Sequence, residues 1–173
     1  MDLYVIRHAD AVALGEQGVT KDGDRPLSEV GAAQAKAIGT GLAAKGFRPG
    51  LILSSPLVRA RQTADGIQRQ FAQDPPVVQE ADEAAPGVKP KRLARYLRGL
   101  SADAVALVGH QPDLGEWAAW LIGGKKAQID LAKAGVALIR CPDGPRKGSG
   151  TLVWLVTPDW FACDKVEAKK KSG

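Results

Sequence analysis

The sequence predicts one α/β domain with a mostly parallel central sheet and an antiparallel hairpin at one side. Three observations carry that prediction. Short apolar, β-branched runs alternate with stretches of helical periodicity in the order β-α-β-α-α-β-α-β-β, the pattern of a sheet covered by crossover helices. Two of the apolar runs end in a histidine: residues 3–6 lead into Arg7-His8, and residues 104–108 lead into Gly109-His110. These are the only two histidines in the chain. The last two β-rich runs, residues 135–141 and 151–157, flank a segment at 142–150 rich in Gly and Pro, which reads as a hairpin with a long loop.

With 173 residues the chain is long enough to bury one well-formed core. It is read as a single domain over residues 1–160 followed by a basic tail over residues 161–173. Hydrophobic residues at 45% against charged residues at 25% give the balance of a water-facing globular protein, and no apolar run approaches a bilayer span. The start Met1-Asp2-Leu3 lacks the basic and apolar regions of a secretory signal, so a cytoplasmic location and no membrane partner are expected. Of the net charge of +5, +2 comes from the tail, where Lys165, Lys169, Lys170 and Lys171 stand against Asp164 and Glu167, which reads as a solvated, frayed end. Aromatic residues do not interleave with a basic stripe, which argues against nucleic acid as a partner. Cys141 and Cys163 form neither a CxxC nor a metal-type spacing and are read as reduced thiols.

Taken in order, Leu3-Tyr4-Val5-Ile6 is a buried strand that breaks into two basic side chains. Residues 11–26 are rich in Gly, Asp and Lys, so they form a loop expected to cover or border a site at that strand's end. Ser28 is an N-cap, and Ala32, Ala35, Ile38 and Leu42 recur at helical spacing until Gly46; the many alanines imply close packing on the sheet. Leu51-Ile52-Leu53 is the second buried strand. In Ser54-Ser55-Pro56-Leu57-Val58-Arg59, Ser55 is predicted as a cap and Pro56 as the first helical residue. Arg59 then sits in the first turn, where the helix dipole disfavours a cation unless an anion compensates. Arg61 reads as a solvated charge.

Residues 73–88 form a loop with the acids Glu80, Asp82 and Glu83 and a short strand candidate at Val77-Val78. Residues 89–100 read as a helix with Leu93, Tyr96, Leu97 and Leu100 inward and Arg92, Arg95 and Arg98 facing water. After the strand that ends at His110, Pro112 opens a helix with Leu114, Trp117, Ala118 and Leu121 on one face, closed by Gly123-Gly124. Trp117 and Trp120 are read as packing residues.

Ligands of open α/β sheets bind outside the carboxyl ends of the strands, where this reading places Arg7, His8, Arg59 and His110 together. Cationic groups around an imidazole suit a doubly charged phosphoryl group, and Arg25 can join from the loop. An unprotonated His8 is also able to attack phosphorus and form a covalent intermediate. A metal site on His8, His110 and Asp10 or Asp113 is a weak alternative, since two histidines without a cysteine pair give too few ligands.

Three motifs, R-H-A-D at 7–10, S-S-P-L-V-R-A-R-Q-T-A at 54–64 and V-G-H-Q-P-D-L at 108–114, resemble the histidine phosphatase superfamily, the phosphoglycerate mutase-like fold. R-P-L-S at 25–28 and the short chain resemble its small bacterial branch, the SixA-type phosphohistidine phosphatases. The resemblance spans roughly residues 3–157. It implies a three-layer α/β/α sandwich and a metal-independent enzyme without cofactor, with His8 as the phosphorylated nucleophile. Arg7, Arg59 and His110 would hold the phosphoryl oxygens, with Arg25 as a further candidate. Ala9 stands where the superfamily usually has glycine.

No motif identifies the general acid; Glu83 is the first candidate, then Asp82, then Asp10. That gap bears on the substrate. An imidazole leaving group has a conjugate acid of pKa about 6.5, against about 15.7 for water-like alkoxides, so a site without a strong acid still cleaves N–P bonds. The expected substrate is therefore phosphohistidine on a protein. A broad-specificity phosphatase on small phosphate esters and a non-catalytic phosphate-binding module are the alternatives. A monomer is expected.

Overall fold

The structure, a computed structural model, describes residues 1–124 and 127–162. Six strands form one sheet: β1 (Asp2–Arg7), β2 (Leu51–Ser54), β3 (Val77–Glu80), β4 (Ala104–Gly109), β5 (Val136–Arg140) and β6 (Thr151–Val156). Their order is β3-β2-β4-β1-β5-β6. The first four are parallel, whereas β5 runs antiparallel to β1 and β6 antiparallel to β5, so the hairpin lies at one side as the sequence predicts. The helices are α1 (Glu29–Ala44), α2 (Val58–Gln68), α3 (Pro90–Arg98), α4 (Asp113–Leu121) and the short α5 (Asp159–Ala162).

Side chains alternate across a strand, and the inner strands use both faces. Tyr4 and Ile6 of β1 pack with Ile52, Ala106 and Val108 under α1 and α2, which contribute Ile38, Leu42, Ala64 and Ile67. Leu3 and Val5 point the other way, joining Leu53, Val105 and Leu107 under Leu93 and Leu97 of α3 and Leu114, Trp117 and Leu121 of α4. The result is a three-layer α/β/α sandwich, as expected from the sequence.

Register sets the functional edge. Arg7 is paired with Gly109 and Ser54 with Val108, so β1, β2 and β4 end level with one another. Pairing persists one residue further: His8 N–H donates to the Gly109 carbonyl at 3.0 Å, and Ser55 N–H donates to the Val108 carbonyl at 2.9 Å. His8, Ser55 and His110 therefore leave the sheet side by side. Ser28 caps α1 through its hydroxyl, which accepts from Gly31 N–H at 3.1 Å. Gly31 is required for that close approach, because a Cβ there would run into the Asp10 carbonyl.

Several elements differ from the sequence reading. α2 starts at Val58 with Leu57 as its N-cap, because Ser55 is still extended in the sheet and Pro56 lies in the turn. β3 reaches Glu80, since Gln79 and Glu80 pair with Leu53 and Ser54 at an edge where polar side chains stay in water. α4 begins at Asp113, with Pro112 as its cap. α5 has no counterpart in the sequence pattern; its Phe161 packs with the core residues of the α1 side. Residues 161 and 162 thus end a helix, and the rest of the expected basic tail, residues 163–173, lies outside the described residues. Among the described residues no helix is long and apolar enough to cross a membrane.

Candidate active site

His8 lies just past β1, 8% exposed, with its ring fixed from two directions. Its Nδ1 is 2.7 Å from the Ala9 carbonyl, which only accepts, so Nδ1 carries the hydrogen. Arg59 Nε, always a donor, is 3.2 Å from His8 Nε2, which must therefore present its lone pair. Both contacts select the same tautomer. Burial is the main cause that lowers the His8 pKa to about 4; the bond to Ala9 opposes this, and the charges of Arg59, Arg7 and Arg25 add to it. The ring is neutral at pH 7.

Thr63 aligns His8 with Arg59. Its hydroxyl donates to the Arg59 carbonyl at 2.7 Å and accepts from Ala9 N–H at 3.0 Å, tying the exit of β1 to the first turns of α2. The anion that Arg59 needs at this helix start is Asp22, from the loop at 11–26. Arg59 Nη1 donates to the Asp22 carbonyl at 2.7 Å and Nη2 to its carboxylate at 3.0 Å. The Arg25 hydrogen bond, aided by the Arg59 charge, holds the Asp22 carboxyl below its usual range.

His110 faces His8, with ring centroids 5.1 Å apart and planes tilted by 54°. Its Nε2 is 2.8 Å from Ser55 Oγ, a fully buried hydroxyl. Burial, then the His8 and Arg59 neighbours, push its pKa down to about 3. Arg7 Nη1 donates to the Leu131 carbonyl at 2.7 Å, which anchors the guanidinium. Two buried polar atoms of this group, Arg7 Nε and His110 Nδ1, find no partner within the protein. The edge thus combines one imidazole lone pair, two guanidinium groups and two unspent ring or guanidinium nitrogens, a set suited to a tetrahedral oxyanion.

Arg25 is nearby but spent on its own loop: Nε donates to the Val12 carbonyl at 2.6 Å and Nη1 to Asp22 at 3.0 Å. It meets the site through Asp22.

Residues 3–92 match the family model described as Histidine phosphatase superfamily (branch 1). The chain belongs to the histidine phosphatase superfamily. An uncharacterized protein of Picosynechococcus sp. is 38% identical over 166 residues, covering 93% of this chain and 99% of that protein. Among solved structures, the protein histidine phosphatase SixA complexed with tungstate superposes with a TM-score of 0.80 at 22% identity, covering 93% of this chain and 99% of that one. A candidate phosphohistidine phosphatase SixA from Agrobacterium tumefaciens gives 0.74 at 27% identity, with 91% and 98% covered. Membership supports phosphatase activity for this chain, and the overall fold is SixA-like.

For a histidine phosphatase the position of carboxylates matters, and the structure separates the three candidates. Glu83 accepts from Arg92 at 3.1 and 3.2 Å and lines a small cavity together with His110, Asp113 and Trp117. Asp82 is exposed in a 3-10 turn (Asp82–Ala84). Asp10 accepts from Lys133 Nζ and from Ser28 Oγ, both at 2.6 Å. These contacts, Lys133 foremost, hold its carboxyl below the usual range, so it fastens the start of α1 as an ion. Asp113 accepts from Gly87 N–H. Among the described residues no three His, Cys, Asp or Glu side chains converge as metal ligands.

Asp22, Ser55 and Thr63 are the members of this site that sequence reasoning missed. Ser55 and Thr63 lie inside the motif at 54–64, but nothing local marks a hydroxyl that reaches His110, 55 residues away. Asp22 sits in a loop without periodicity and offers no signal of its own.

Proposed function

We propose that this chain hydrolyses phosphohistidine on a protein through a covalent phosphohistidine intermediate at His8, without a metal. The observation that carries the proposal is the His8 Nε2 lone pair, held by the Ala9 carbonyl behind and Arg59 in front, beside donors with no protein partner. In the first step Nε2 forms the bond to phosphorus while the bond to the substrate imidazole breaks. The leaving nitrogen keeps that electron pair and takes up a proton. In the second step water attacks the phosphoryl group, His8 leaves as neutral imidazole, and orthophosphate departs. Arg7, Arg59 and His110 would bind the equatorial oxygens, so the rate gain is mostly positioning and electrostatics. Ser55 O–H donating to His110 Nε2 would leave Nδ1–H as the oxyanion donor. Glu83, which lines one cavity with His110, would be the carboxyl to deliver a proton to a leaving group.

The test is to incubate the protein with a phosphohistidine peptide, quench in alkali and locate phosphate by mass spectrometry. Phosphate on His8, lost in His8→Ala, supports the nucleophile; none on His8 overturns it. Faster turnover of a simple alkyl phosphate than of the peptide overturns the substrate class.

A further inference from the structure

The domain carries a second cationic region at the end away from His8. α3 presents Lys91, Arg95 and Arg98 at i, i+4 and i+7, all exposed, and these line a groove with Trp120 of α4 and with Arg146 and Lys147 of the β5–β6 loop. The groove continues past Trp120 and Lys147 into a compartment lined, among the described residues, by Pro90, Glu116, Ala119, Ala127 and glycines 123 and 124. It lies near the amino-terminal edge of the parallel strands, because Cys141, at the head of the loop, donates through its N–H to the Met1 carbonyl.

The groove is built into the fold. Gly148 N–H donates to the Trp120 carbonyl at 3.1 Å and Gly150 N–H to the Leu121 carbonyl at 2.9 Å, so the loop is seated on the end of α4. Arg98 Nη1 donates to the Pro145 carbonyl at 2.9 Å, and Ser149 Oγ bonds the Arg146 backbone at both N–H and C=O. Among the described residues none of the five cations has a carboxylate within ion-pair distance. Like charges at helical i, i+4 spacing destabilise, which an anionic ligand would reverse. The sequence reading of Arg95 and Arg98 as merely solvated does not account for this convergence.

We propose that this groove binds a nucleoside polyphosphate, with the phosphate chain on Lys91, Arg95, Arg98, Arg146 and Lys147 and the planar base against Trp120. Five cations on one side of Trp120, with Pro90, Ala119 and glycines 123 and 124 on the other, match a ligand that joins an anionic chain to a planar ring. The nine residues of α3 extend about 13 Å, room for one nucleotide with its phosphates and too short to track a strand. The proposal is independent of the chemistry assigned to His8.

The test is calorimetric titration of the full chain with ATP, and in parallel arms with inorganic tripolyphosphate, adenosine and a ten-residue thymidine oligonucleotide. ATP should bind more tightly than tripolyphosphate or the oligonucleotide. The Arg95→Glu, Lys147→Glu double variant should weaken it by about tenfold or more with an unchanged unfolding midpoint and unchanged turnover of p-nitrophenyl phosphate. Lys147→Glu alone, on a surface loop, serves if the double variant does not fold. Arg59→Ala should leave ATP binding intact; its loss there, with the groove variants unaffected, places ATP at His8 and overturns the proposal. Equal affinity for tripolyphosphate, preference for the oligonucleotide, or no ATP binding at about 1 mM overturns it too.

Discussion

Arg59 directs its Nε–H at the Nε2 lone pair of His8, 3.2 Å away, while both of its terminal nitrogens are taken by Asp22. One guanidinium therefore poises the imidazole and anchors a loop carboxylate. On the proposed mechanism, a phosphoryl dianion arriving at His8 would compete with Asp22 for the same donors.

Asp22→Asn removes the competing charge and keeps the carbonyl contact. Inhibition by orthophosphate or tungstate should tighten by about threefold to tenfold, the scale of one partly exposed ion pair. An inhibition constant that is unchanged or weaker shows that the two anions do not compete.

On the proposed mechanism, the His8 pKa of about 4 sets the acid side of the reaction. Protonation fills the lone pair, so the free enzyme should lose its nucleophile only as pH falls towards 4, and kcat/KM should show no titration of this ring between pH 8 and 5. Nitrogen NMR of His8 in the free protein checks it directly; a midpoint near 6.5 contradicts the burial argument.

Stability should follow pH through the same rings. His8 and His110 are held neutral when folded but take up protons below about 6.5 when unfolded, so protons bind preferentially to the unfolded chain and stability falls as pH drops from about 6.5 towards 4. Urea unfolding at pH 7.5 and pH 5 should differ by about 4 kcal/mol, roughly 2 from each ring, and His110→Gln should reduce the difference.

On the proposed mechanism, Ser55 would act through His110. Ser55→Ala leaves His110 Nε2 buried without its partner and the ring free to turn, so kcat should fall by about tenfold with a small change in KM, and Ser55→Thr should recover part of it. A pure KM effect would assign Ser55 to binding instead.

Gly31→Ala tests the seat of α1 against the site loop. Its Cβ would collide with the Asp10 carbonyl, so the helix must shift, at a cost of about 1–3 kcal/mol in thermal or urea unfolding.

The features legible in the sequence were those written in local pattern. Apolar runs located β1 and β4, and a histidine after each run marked the edge where the two rings meet. Arg59 was legible because a cation in a first helical turn requires an anion. The identity of that anion was not: Asp22 is one of several acids in a loop without period, selected by a fold that brings it to α2. Arg25 matched a motif, yet the carbonyl of Val12 and the carboxylate of Asp22 take up its donors. Ser-Pro imitates a helix start at Ser55 and Pro56, but pairing with Val108 keeps the chain extended there. Glu83 is a candidate acid only by its position in the chain, and the structure pairs it with Arg92 while it lines one cavity with His110.

The parallel pairing of Asp2 with Ala104 has a temporal meaning. The ring of His8 leaves the ribosome about a hundred residues ahead of the strand that sets its neighbour beside it. Loops of that span close slowly, so chemical competence should arrive in one late step of maturation rather than accumulate during translation.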